Sequence, residues 1–440
     1  MQNKWGAVLV FVVVAILGDQ LEAQSNWTRF RGPNGSGVAA DAKLPTEWKQ
    51  PAWEVTLAGT GSSSPVAWKD RIFVTSCDDA TAKISLECLS LQDGKRLWVE
   101  SFEGSSYKVH RFNSFASSTP AVDQDHVYVM VTDVKQTLLI ALDHAGKEVW
   151  RRDFGSFASS HGFGTSPILH DGLVVFCHSQ AAEQLPKGME PGKSRLIAVN
   201  AKTGKDAWET DLTTRRVCYG VPSVWKNKEG QELLVNCNTG DGFYGVDPKT
   251  GDLSWSALPF KQRVVASPLV VDDLLIGSCG SGGGGNYLVA FRPDDKPTDG
   301  KAKPVYQVRK SNYVPSPIAV NGLLFVFSDK GIAQCVDLKT GEQYWEERLG
   351  RKFSSSPVAD KNHVYAVDET GVVYVVKASK KFEQVSKFEL GESTRASPMV
   401  MGDRLFFRSD SKLICVGAKS EPSQAETTQA ETTQAGSDKR

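Results

Sequence analysis

Eight Ser/Thr-Pro or Val-Pro pairs punctuate the chain, at Pro65, Pro120, Pro167, Pro222, Pro268, Pro317, Pro357 and Pro398, spaced 55, 47, 55, 46, 49, 40 and 41 residues apart. Each opens the same pattern: an apolar strand, a polar turn, a second strand, a hairpin, a third strand, a Gly-bearing turn and a fourth strand carrying Trp. Repeat six shows the unit, with Ser316-Pro317-Ile318-Ala319-Val320, the turn Asn321-Gly322, strands from Leu323 and from Ile332, then Lys339-Thr340-Gly341 and Tyr344-Trp345. Such a unit matches one four-stranded propeller blade of about 40–50 residues. Runs of β-branched and aromatic residues bounded by Gly, Asn and Asp are strand signals, and no stretch keeps a helical period. The expected class is all-β: an eight-bladed β-propeller of four-stranded antiparallel blades. Proline suits the start of an innermost strand, which is an edge facing the channel.

The eighth repeat stops after Leu413-Ile414-Cys415 without a fourth strand. Trp53-Glu-Val-Thr-Leu57 precedes Pro65 by 12 residues, the distance from Trp345 to Pro357. The N-terminal segment is therefore expected to complete the last blade and close the ring, leaving no unpaired gap. Trp53, Trp98, Trp150, Trp208, Trp255 and Trp345 are the predicted docking side chains. A small residue stands ten positions before several of them, as in Ala198 and Trp208, and each indole is expected to pack on a small residue of the neighbouring blade. Tyr306 and Ser386 occupy the Trp position in repeats five and seven, so those two seams are expected to pack differently.

The ends of the chain carry their own signals. Residues 1–23 read as a secretory signal peptide, with Lys4, the apolar run Trp5 to Leu17 and a small residue at Ala23; that run is too short to span a bilayer. The propeller is assigned to 24–418. Residues 419–440, with Gln-Ala-Glu-Thr-Thr duplicated at 424–428 and 429–433, read as a disordered low-complexity tail. The expected location is periplasmic or secreted, with no membrane span left after cleavage.

Charge excludes one class. With 51 Lys+Arg against 51 Asp+Glu the chain lacks the overall field of a polybasic nucleic-acid binder, so any charged partner is met by a local patch. Such a patch is legible in the loops that lead into each innermost strand. They carry Lys108, His110 and Arg111; His161; Arg215 and Arg216; Lys261 and Arg263; Arg309 and Lys310; Arg351 and Lys352; and Arg395, interleaved with Phe112, Phe163, Tyr219, Tyr313 and Phe353. His110, Arg111, His161, Arg216, Arg263, Lys310, Arg351, Lys352 and Arg395 are the candidate anion- or cofactor-binding set, Arg being suited to bidentate contacts with carboxylates. The competing arrangement pairs these cations with hairpin acids such as Asp78, Asp79, Asp241, Asp329 and Asp410, leaving a solvated rim.

Other chemistry is weakly signalled. Eight cysteines permit disulfides after export, and Cys77 and Cys88 flank one hairpin; Cys88, Cys335 and Cys415 sit at the small-residue position and read as buried hydrophobes. No C-x-x-C or H-x-x-x-H spacing points to a structural zinc site. His126, His144, His170 and His363 lie at turns or strand edges, and no catalytic residue or metal ligand is assigned.

The repeated motif Ala/Gly-x-Asp/Asn-x-x-Thr-Gly-x-x-x-Trp resembles the tryptophan-docking motif of the pyrroloquinoline quinone propeller repeats, over roughly Trp27 to Gly417. The opening Trp27-Thr-Arg-Phe-Arg-Gly-Pro-Asn-Gly-Ser-Gly37 with Leu44-Pro-Thr-Glu-Trp48 resembles the first segment of a secreted subgroup of these proteins. The resemblance implies one of two branches. Quinoprotein dehydrogenases bind pyrroloquinoline quinone with Ca²⁺; the other branch is similar to the scaffold propeller of outer-membrane β-barrel assembly. The adjacent cysteines of the alcohol dehydrogenases are absent here, as is the lipid-bearing Cys of the scaffold. The expectation is therefore an exported monomeric binding or scaffold propeller with no cofactor, recognising a protein, peptide or glycan at one channel mouth and no nucleic acid. A quinone-dependent oxidoreductase is the alternative.

Overall fold

The computed structural model describes residues 26–258, 260–295 and 303–417; the signal-peptide and tail assignments lie outside the described residues. Eight four-stranded antiparallel sheets make up the molecule. Seven of them run from innermost to outermost strand in chain order, as in blade 6, where Ile318–Val320, Leu323–Phe327, Ile332–Asp337 and Gln343–Arg348 follow one another. Every one of the eight marker prolines stands immediately before an innermost strand, those strands starting at Val66, Ala121, Ile168, Ser223, Leu269, Ile318, Val358 and Met399. The ring closes as expected: Trp53–Thr56 pairs antiparallel with Lys412–Val416, Trp53 opposite Cys415, and becomes the outer strand of blade 8.

The tryptophans dock in two directions. The small residue ten positions earlier is not in the next blade but directly across the same sheet, as in Trp208 opposite Ala198 and Trp345 opposite Cys335. A β-bulge between Ala198 and Val199 takes up the extra residue of the spacing. What the indole meets in the next blade is the turn glycine. A Cβ on Gly94 would come within 2.5 Å of Trp53, and one on Gly204 within 2.8 Å of Trp150, so only Gly, at φ 74 and 68 here, admits the ring. Indole N–H groups then donate across the seam, Trp98 to His144 O at 2.9 Å, Trp150 to Ala201 O at 3.0 Å and Trp208 to Pro248 O at 2.9 Å. Tyr306 copies this arrangement, packing on Gly341 and donating to Leu338 O at 2.8 Å. At blade 7, Ser386 donates to Thr46 O, and Trp48 stacks on Phe388 with centroids 3.8 Å apart, so the N-terminal segment fills the seat of the missing Trp.

A belt of hydroxyls ties the inner strands together. The backbone N–H of each residue before the marker proline donates to the side-chain oxygen of its counterpart in the next blade: Ser64 to Thr119, Thr119 to Ser166, Val221 to Ser267, Ser267 to Ser316, Ser316 to Ser356, Ser356 to Ser397, and Ser397 back to Ser64, all at 2.9–3.0 Å. Only the seam between blades 3 and 4 is open, because Val221 has no hydroxyl to accept.

Residues 27–38 thread across the channel. Trp27 bridges Ala67 of blade 1, Arg29 donates to Pro222 O of blade 4 at 2.6 Å, Arg31 donates to Pro317 O of blade 6 at 2.7 Å, and Val38 bridges Ala359 of blade 7. Burial holds both guanidinium pKa values down to about 9. This thread floors the channel.

All eight cysteines are free and buried. The Cys77–Cys88 bridge does not form, because register places Cys77 opposite Ile84 and Cys88 opposite Phe73; four residues of offset separate the thiols by about 13 Å along the strand. Loss of water pushes the thiols of Cys88, Cys177 and Cys335 up to about 12. Thiol titration should therefore count eight groups in denaturant and essentially none reacting in the native protein. Fewer than eight in denaturant, without reductant, would reveal a bridge.

Candidate functional site

The lead-in loops and the hairpins between second and third strands open on one face. The channel there is a cup of about 730 Å³, blind because Phe30 of the thread forms part of its lining. Seven of the nine predicted binding residues line it, namely His110, Arg111, His161, Arg216, Arg263, Lys352 and Arg395. Lys310 and Arg351 do not; both are exposed outside it. The belt hydroxyls Ser64, Thr119, Ser166, Ser267, Ser316, Ser356 and Ser397 line the deeper wall. Each uses its oxygen to accept an N–H, which leaves its O–H to turn into the cup.

The charge is lopsided. Arg111, Arg216, Arg263, Lys330, Lys352 and Arg395 face a single lining carboxylate, Asp329. The hairpin acids neutralise this set only in part. Asp241 accepts from Thr213 and Asn238, Asp79 from Thr60, and Asp410 from Ser393. Lys352 and Arg395 do pair with a hairpin acid, sharing Glu369 of the blade 7 hairpin at 2.9 and 3.5 Å, as the competing arrangement expects. Arg263 is 4% exposed; its Nε donates to Val217 O at 2.7 Å, its guanidinium carbon lies 5.0 Å from the centre of the Tyr219 ring, and its Nη2 has no partner. That nitrogen is itself closed off from solvent, so Arg263 contributes fixed positive charge behind the cup wall.

The loop between blades 1 and 2 brings His110, Arg111, Phe112 and Asn113 to the cup lining. Asn113 donates to His161 O at 2.8 Å and Phe163 O at 3.1 Å, holding the loop against the next one. His110 stacks on His161 at 5.2 Å. Burial, then Arg263, drives the His161 pKa down to about 4, and the same two causes lower His110; the imidazole pair is neutral at pH 7. Phe112 reaches across to blades 6–8, where Lys352 Nζ stands 3.8 Å and the Arg395 guanidinium 5.3 Å from its ring centre, a cation–π cluster.

Asp329 accepts from Tyr313 N at 3.0 Å, Val314 N at 3.3 Å and Asn286 Nδ2 at 3.3 Å. Loss of water nevertheless raises its pKa to about 6. Two signs follow. A raised folded-state pKa contributes stability that is full below the ordinary carboxylate range and is lost as pH rises through about 6. Protonation of Asp329 also removes the negative charge of the one carboxylate that lines the cup. Affinity for an acidic peptide should therefore rise between about pH 7 and pH 5, where free carboxylates of pKa about 4 stay ionised. Calorimetric titration checks this; Asp329→Asn should flatten the profile, and a flat profile in the parent would remove Asp329 from the site.

The same lining tests the quinone. Its cations and rings suit a carboxylated planar molecule, but Ca²⁺ takes about six to eight oxygen ligands. Asp329 is the one carboxylate present, its oxygens are engaged by N–H donors, and Lys330 and Lys352 share the wall. The residues do not fit the quinone–calcium pair.

Fold and repeat motif together define a pyrroloquinoline-quinone-repeat propeller whose one blind mouth is cationic. The chain belongs to the family described as outer membrane protein assembly factor BamB, which matches residues 83–293 and 307–438. The outer membrane protein assembly factor BamB of Moranella endobia (strain PCIT) is 25% identical over 194 residues, 41% of this chain and 46% of that protein. The chain thus spans about half the length of this curated relative. Among solved structures, BamB from Moraxella catarrhalis superposes with a TM-score of 0.59 at 15% identity, over 85% of this chain and 98% of that one. The quinohemoprotein alcohol dehydrogenase of Comamonas testosteroni gives 0.66 at 13% identity, over 90% and 82%. At these identities the likeness is one of fold.

Proposed function

We propose that this protein is an exported, periplasmic assembly scaffold that seats an acidic, aromatic-bearing segment of a protein partner in the cup. The family supports a protein-binding scaffold of the BamB kind; the observation that carries the finer reading is the blind cup itself, lined by six cations and one acid. Its volume suits a few side chains rather than a folded domain. Belt hydroxyls and backbone amides orient the carboxylates, Tyr219, Tyr313 and Phe112 cover the apolar parts, and no bond is made or broken. Among the described residues no helix is long and apolar enough to cross a membrane.

The test is a titration of the folded chain with a short Asp/Glu/Phe peptide and with its Lys/Phe counterpart, at low and high salt. One-to-one binding of the acidic peptide, weakening with salt as the Debye length shrinks, is the expected result. Equal binding of both peptides, or of neither, would refute it; selective capture of an acidic glycan instead would move the partner class.

A further inference from the structure

On the face opposite the cup, the innermost strand of blade 3 ends at His170 and turns through Asp171-Gly172. Glu232 begins the second strand of the neighbouring blade 4. His170 Nε2 lies 3.6 Å from Glu232 Oε2 and 3.7 Å from Asp171 Oδ2, and all three ligand atoms fall within 4.8 Å of one another. The His170 side chain is 10% exposed, and its Nε2 has no hydrogen-bond partner. A nine-tenths buried imidazole nitrogen aimed between two carboxylates without bonding to either calls for a ligand there.

The spacing says which. With zinc bonds of about 2.0–2.2 Å to N and O, neighbouring corners of a tetrahedron stand about 3.3–3.6 Å apart, close to the separations from His170. One imidazole and two carboxylates are a hard-to-borderline donor set, and water supplies the open corner. Lys226 Nζ sits 3.8 Å from Glu232 Oε1, whereas it is Oε2 that approaches His170, so its charge acts on the other oxygen of that carboxylate. The position has a structural counterpart: blades 3 and 4 form the one seam where Val221 leaves the hydroxyl belt open.

We propose that His170, Asp171 and Glu232 bind one divalent cation of the zinc class and so pin blade 3 to blade 4. The site is remote from the cup and stands independently of the scaffold reading.

Untagged full-length protein stripped with chelator is titrated with Zn²⁺ by calorimetry, and with Co²⁺ while its visible spectrum is followed. Expected are one Zn²⁺ per chain, the intense visible band of tetrahedral Co²⁺, and a higher melting temperature with metal. Glu232→Gln and Asp171→Asn should each weaken Zn²⁺ by about tenfold or more. Asn tolerates the left-handed turn at φ 46, so these two variants keep the test valid if His170→Ala misfolds; His363→Ala should change nothing. Absence of stoichiometric uptake by the parent, or uptake unchanged in Glu232→Gln and Asp171→Asn, would overturn the proposal.

Discussion

Deletion of residues 26–57 should leave a chain that no longer melts cooperatively. The segment supplies the outer strand of blade 8, the channel thread and the side chains Trp27, Leu44, Trp53 and Leu57, all buried in one core cluster with the strands of blades 7, 8 and 1. Removing one buried Trp costs about 3–5 kcal/mol, against about 5–15 kcal/mol for a whole domain. Two tryptophans lost together with an exposed strand edge at Lys412–Val416 exceed that margin, and the bare edge invites self-association. Trp53→Ala alone should keep the fold at a lowered melting temperature, since the strand pairing survives. Arg408 belongs to the same seam: fully buried, its Nη1 donates to Ser63 O at 3.0 Å and Thr75 O at 2.7 Å, tying blade 8 to blade 1. Circular dichroism melts compare the three chains. A truncated chain melting like the parent would show that the ring stands without its clasp.

Reversing charge in the cup should abolish capture of the acidic peptide while leaving the melt intact. Arg111, Arg216 and Lys330 line the cup, are exposed or half-buried and form no ion pair among the described residues, so glutamate at all three positions strips no buried acid of its partner; Lys352 is left in place because it pairs with the largely buried Glu369. Each charge-assisted contact is worth about 1.5–3 kcal/mol, and about 1.4 kcal/mol is tenfold in affinity. The triple variant should therefore bind at least about a hundredfold more weakly. Arg263 is left in place because its buried guanidinium also holds Val217 O. The control is Lys310→Glu with Arg351→Glu, exposed cations outside the cup, where screening limits the loss. Equal losses in both variants would mean a diffuse rim rather than a seat.

Much of this was legible because repetition makes a propeller redundant. A proline every 40 to 55 residues and Trp opposite a small residue are local patterns written several times over, so a departure such as the strandless eighth repeat is visible as a gap and predicts its own repair. The rim cations were legible as a set because the lead-in loops must converge. Lys310 and Arg351 were misplaced because a loop position alone does not say whether a side chain turns to the axis or to solvent. The docking glycines read in sequence only as residues of the turn before the fourth strand and not as an indole seat, since sequence spacing shows what stands in one blade and not what faces it from the next.

Composition, repeat spacing and turn chemistry by themselves determined the class, the number of blades, the antiparallel order and the closing strand. These follow from interactions between residues near in sequence, repeated eight times. Everything that depends on residues far apart was decided by the tertiary structure: the thread that floors the channel, Glu369 shared by Lys352 and Arg395, the failed Cys77–Cys88 bridge, and His170 brought against Glu232. The physical reason is that a blade specifies itself through its own hydrogen bonds and turns, whereas a site is made where blades meet, and its geometry is set by how eight twisted sheets pack around an axis.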